Sequence, residues 1–132
     1  MTHARELFEV TITPQAQDAT EGAAIGRLSI DKQFHGDLEA SGKGQMLAAG
    51  TAIEGSAGYV AIEQATGTLH GRSGSFVLQH SGTMARGEGQ LVITVVPDSG
   101  TGELVGLTGE ITITIVDGKH FYDFEYTLAE SS

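Results

Sequence analysis

The chain has no cysteine and no tryptophan, only 2 prolines in 132 residues, and only 7 lysines and arginines. Each shortage removes something. Without cysteine there is no disulfide, no thiolate nucleophile and no cysteine-based zinc site. The few cations are scattered from Arg5 to Lys119 and the formal net charge is −10. A nucleic-acid surface needs a clustered basic stripe, so nucleic acid is not an expected partner, and the acidity reads as a solubility device. Apolar residues at three-and-four spacing, the mark of an amphipathic helix, are nearly absent. The apolar stretches are broken by Thr and Gly well short of a membrane span. No apolar segment follows the polar start Met1–Glu6, so a signal peptide is not expected, and the cytoplasm is the default compartment.

What the chain does have is glycine, 19 residues of it, set between runs of Val, Ile, Thr and Leu. Glycine so placed marks tight turns and bulges. With 39% hydrophobic and 18% charged residues, the composition fits one folded domain spanning residues 1–132. Period-two alternation recurs along its length. It predicts strands over Glu6–Thr13 (ended by Pro14), Ala23–Phe34, Leu38–Ala49, Tyr59–Leu69, Ser75–His80, Gly87–Val96, Glu110–Val116 and His120–Leu128, with a short extended piece at Glu103–Leu107. Gln15–Gly22 and Ser81–Arg86 read as loops, and the tail from Ala129 is expected to fray. Apolar residues on both faces of Gly87–Val96 predict a strand covered on both sides. Asp117-Gly118 is the strongest hairpin signal.

Eight or nine short strands joined mainly by tight turns predict an all-β fold. A closed antiparallel barrel of about eight strands in meander order is preferred to a sandwich, because closure leaves no exposed sheet edge. The small residues Ala40, Gly42 and Gly44 inside the third strand suit a barrel corner.

The stretch Gly67–Leu107 has a recognisable pattern: Gly71-Arg72-Ser73-Gly74-Ser75-Phe76, Gln79-His80, then Val96-Pro97 through Gly100-Thr101-Gly102-Glu103-Leu104 to Gly106-Leu107. Upstream, Phe34-His35-Gly36-Asp37-Leu38-Glu39 and Tyr59-Val60-Ala61-Ile62-Glu63 fit the same pattern. The chain thereby resembles a bacterial family of small barrels with no assigned function, similar in structure to allene oxide cyclase. The resemblance implies an eight-stranded antiparallel barrel, often paired as a homodimer, and implies no catalytic set.

Four residues stand out as candidate ligand-binding groups: Tyr59, Glu63, Arg72 and His80. His80 shares strand parity with Phe76 and Leu78, so it points to the apolar face, where an imidazole could be an acid, a base or a ligand anchor. The plainer alternative is a buried histidine bonded to a neighbouring carbonyl. Glu63 shares a face with Tyr59 and Ala61. Turned inward it is a desolvated carboxylate with a raised pKa, a candidate base; turned outward it is an ordinary surface group, and one residue of register decides between them. Arg72 could clamp an anion, but an arginine tying down its own loop, to Glu63 or Glu39, is favoured. His120, Tyr122, Phe124 and Tyr126 share a face that reads as core or dimer interface, with a ligand-pocket lining as the alternative. The 5 histidines show no metal-ligand spacing, no glycine-flanked nucleophilic serine elbow is present, and no metal or cofactor is expected.

The leading expectation is a barrel that binds a small hydrophobic molecule in a mainly apolar cavity. The alternatives are a cofactor-free cyclase, isomerase or hydrolase with Glu63 or His80 moving a proton, and a filled dimeric barrel with a structural or interaction role.

Overall fold

The computed structural model describes residues 2–20 and 23–128. Eight antiparallel strands follow one another in chain order and close into a barrel: β1 (Thr2–Thr20), β2 (Ala23–Phe34), β3 (Leu38–Gly50), β4 (Ala57–Leu69), β5 (Arg72–Ala85), β6 (Glu88–Val95), β7 (Thr108–Val116) and β8 (Lys119–Thr127). A short 3-10 turn, Gly102–Leu104, lies between β6 and β7. Residues 21–22 and the expected fraying tail at 129–132 lie outside the described residues.

The meander is built from hairpins whose turns require a left-handed backbone. Asp117 and Gly118 take φ of 51° and 77°, the mirror-image turn that matches strand twist, as the Asp-Gly signal predicts. Arg86 and Gly87 form a like pair, with φ of 50° and 90°. That turn corrects one expectation. Ser81–Ala85 belongs to β5, not to a loop, because it is laddered to β4 on one side and β6 on the other. A second correction concerns Pro14. It does not end β1; the strand runs on to Thr20 with a bulge between Pro14 and Ala16. Past Phe8, β1 has lost its β8 partner and is an edge, where a residue lacking N–H is tolerated. Glu103–Leu107 is likewise not an extended piece but opens with the 3-10 turn.

Parity sorts the side chains. Even positions of β1 up to Ile12, of β2 from Gly26 onward and of β3, β5 and β8, and odd positions of β4, β6 and β7, face the interior, as the buried residues Phe8, Phe34, Ala40, Ala65, Leu78, Ile93, Ile111 and Phe124 record. One end of the barrel is plugged. Leu104 and Leu107 close it against Leu38, Leu69, Phe76 and Phe124. The plug is tied to β5 by Thr101 N–H donating to the Ser75 carbonyl at 2.8 Å and by Val77 N–H donating to Ser99 Oγ at 3.0 Å. At this end Tyr122 Oη accepts from Leu38 N–H at 3.0 Å and donates to the His35 carbonyl at 2.6 Å. Of the aromatic row of β8, Tyr122, Phe124 and Tyr126 are therefore core, while His120 is half-buried against Phe8.

The other end is open. Ile12, Met84, Leu91 and Ile115 occupy inward register there, yet all are exposed. The wall is also incomplete: β6 and β7 pair only at Ile93–Ile111 and Thr94–Glu110, so the ladder stops before the mouth. The expectation that β6 is covered on both faces is corrected too. Ile93 and Val95 are buried inside, but Val92 on the outer face is 57% exposed.

Candidate functional site

Two neighbouring features of the interior could carry chemistry: a buried charge cluster in its middle and a cavity at its mouth. Both arise from where the sequence places small side chains. In the middle, Ala40, Ala61 and Ala65 leave room that Phe8, Phe34, Phe76 and Phe124 fill. Nearer the mouth the small residues Ala48, Ala57, Gly82 and Gly89 recur, but Tyr59 is the one aromatic ring among the described lining residues. The result is a cavity of about 390 Å³, lined chiefly by inward-facing Met46, Ala48, Ala57, Tyr59, Met84 and Leu91. That volume falls within the range of small-ligand pockets.

Tyr59 forms the inner limit of this cavity. It lies directly opposite Gly82 across the β4–β5 ladder. A Cβ added to Gly82 would come within 2.4 Å of the Tyr59 ring, so the ring rests on bare backbone. Burial, and then the negative charge of Glu63, push the phenol's pKa above its ordinary value, so it remains a neutral hydroxyl.

Below Tyr59 lie Glu63 and His80, both inward and buried. The register question over Glu63 is thereby answered: it is Val60 and Ile62 that face out. His80 Nε2–H donates to Glu63 Oε1 at 2.6 Å, and Lys32 Nζ donates to the same oxygen at 2.8 Å. The Lys32 side chain is 7% exposed, and its ammonium lies 5.3 Å from the centre of the Phe8 ring and 5.7 Å from that of Phe34. Glu63 Oε2 is buried and has no hydrogen-bond partner among the described residues. It faces Gly42, where a Cβ would sit 2.8 Å away. Burial alone would raise the Glu63 pKa, as the sequence reading expected. The hydrogen bond from His80 and the charge and hydrogen bond of Lys32 outweigh it and hold the carboxyl below its usual range. Glu63 is thus an ion-paired carboxylate, and the gap around the cluster admits no water-sized molecule.

Arg72 stands apart. It is exposed at the plugged end, and its charge is felt by Tyr126, which hydrogen-bonds His70. The two carboxylates suggested as its tether are engaged elsewhere, Glu63 as above and Glu39 with the Gly36 N–H. The structure therefore brings Tyr59, Glu63 and His80 into one interior column and leaves Arg72 outside it. Among the described residues, no group of three or more His, Cys, Asp or Glu side chains could hold a metal ion, and no helix is long and apolar enough to cross a membrane.

Lys32 is the residue that sequence reasoning missed. Its signal was present: it falls in phase with Leu28, Ile30 and Phe34 on the inward face of β2, and a charge on an apolar register demands a buried partner. Met84 was missed because its segment read as a loop.

Comparison with known proteins agrees with this architecture. No curated protein matches the chain. A solved structure from Shewanella oneidensis MR-1, described as a protein with unknown function from the DUF3224 family, is 50% identical, superimposes with a TM-score of 0.94 and is covered over 99% of both chains. The family described as "Protein of unknown function (DUF3224)" matches residues 4–126, and the chain belongs to it.

Proposed function

We propose that this protein is a small-molecule-binding barrel whose ligand sits in the cavity at the open mouth. The observation that carries the reading is the pairing of shape and chemistry there: about 390 Å³ of space walled by apolar side chains held in inward register. Soluble proteins seldom leave such surface uncovered without a use for it. Binding is favoured over catalysis because Glu63 and His80, the groups suited to proton transfer, sit in packed surroundings, with the carboxylate of Glu63 already paired to Lys32 and bonded to His80.

The test uses N-phenyl-1-naphthylamine, an uncharged dye that fluoresces in apolar surroundings. The reading expects saturable binding at one site per chain, lost when Ala48→Phe fills the cavity. Absence of saturable binding, or binding indifferent to Ala48→Phe, would refute it.

A second reading concerns assembly. The outward positions of β4 from Gly58 to Thr68 and of β5 from Ser73 to Ala85 carry no charged side chain, and Leu47, Val60 and Ile62 are exposed beside one another on β3 and β4, with Val92 on β6 across Ser81 of β5. The other outer strands carry Glu9, Asp31, Glu110, Asp123 and Glu125. Two copies each of net charge −10 approach with least repulsion through the uncharged face, which favours a homodimer formed there. Light scattering of the Val60→Asp variant should then report monomers where the parent chain is a dimer; a monomeric parent would sink this reading.

A further inference from the structure

Resting on the binding reading above, we infer the chemical class of the ligand: an uncharged, mainly apolar molecule with one hydrogen-bond acceptor, read by the hydroxyl of Tyr59.

Among the described residues the lining contains no charged side chain. Thr83 and Gln90 contribute from outward register, so Tyr59 is the one inward polar side chain among the described lining residues. An ionic ligand would give up its water with no counter-charge to meet it, a cost that excludes it. An anion is disfavoured twice over. The cation of the barrel interior, Lys32, is committed to Glu63 at 2.8 Å, and the charge of Glu63 already reaches Tyr59 from below.

The phenol is held for use. Its ring is fixed against the bare backbone of Gly82, and no hydrogen bond among the described residues involves its hydroxyl. A neutral phenol so placed offers its hydrogen to an acceptor such as a ketone, ester or ether oxygen. The rest of the ligand contacts Leu91 and the two methionines Met46 and Met84, whose flexible chains adapt to different apolar shapes.

Calorimetric titration at neutral pH with four probes tests this: 2-nonanone, nonanoate, nonylammonium and propylbenzene. The ketone should bind one site per chain, with nonanoate and nonylammonium at least about tenfold weaker. Tyr59→Phe should weaken the ketone by about three- to tenfold, the worth of one hydrogen bond, and leave propylbenzene unchanged. Equal binding of ketone and carboxylate overturns the inference while the pocket stands. So does equal loss of ketone and propylbenzene in Tyr59→Phe, which would make Tyr59 a shape element only. Failure of every probe to bind, or binding untouched by Ala48→Phe, overturns the binding reading itself.

Discussion

Replacing Lys32 with methionine tests the physics of the buried cluster. Methionine keeps most of the apolar stem between Phe8 and Phe34 but removes the ammonium that lies 2.8 Å from Glu63 Oε1. Glu63 is wholly buried, so it is left as a carboxylate with only the His80 hydrogen bond. Breaking a buried pair in this way costs about 3–5 kcal/mol. The surviving bond from His80 places Lys32→Met near the low end, at about 3 kcal/mol, a large share of the 5–15 kcal/mol typical of a domain. The loss is also pH-dependent. With the cation gone, burial dominates and the Glu63 pKa rises above its unfolded value. The folded variant then binds a proton that the unfolded chain does not, so its unfolding free energy rises as pH falls from 8 toward 5. Urea unfolding of parent and variant at both pH values measures this: the gap should narrow on acidification. Removing both charges, in Lys32→Met with Glu63→Gln, should recover most of the loss. A penalty below about 1 kcal/mol at pH 8, or a double variant as unstable as the single, would refute the reasoning.

Two further predictions follow from the same geometry. Burial, above all other influences, raises the Tyr122 pKa from 10.0 to about 12, so its contribution to stability is full below the unfolded value and is lost as pH rises through 10 to 12. That window corresponds to about 3 kcal/mol, and urea midpoints at pH 9 and 11.5 should fall less in Tyr122→Phe than in the parent. A Cβ on Gly44 would lie 2.1 Å from the Ile62 carbonyl oxygen, whereas one on Gly50 would meet nothing within 4 Å. Gly44→Ala should therefore cost about 2 kcal/mol or more and lower the Tm measured by calorimetry, while Gly50→Ala should leave it within a degree or two.

The barrel was legible in the sequence because strand alternation and hairpin turns are local. Asp117-Gly118 and the runs around Ile30, Leu78 and Ile93 each point to strands without reference to distant residues. Pro14 and the Ser81–Arg86 segment misled for a complementary reason. A proline is harmless on an edge, and a run of small polar residues such as Ser81-Gly82-Thr83 lies quietly in a ladder once strands flank it on both sides. The candidate site was harder to read. Tyr59, Glu63 and His80 could be named from residue type and parity, but which face of β4 points inward is settled by closure of the whole barrel. Lys32 meets Glu63 from two strands away, across β3, and no local pattern encodes that pairing. The cavity is a still more distant property. It exists because small residues on four strands happen to fall at one level with nothing large enough to fill the space between them.

The central claim, a ligand cavity at the open mouth, can be checked atom by atom. Of the 3 methionines in the chain, Met46 and Met84 line the cavity. With carbon-13 in the methionine methyl groups, titration with 2-nonanone should shift the Met46 and Met84 signals together along one saturable curve. Signals from both methyls that stay fixed across the titration would contradict a binding site there.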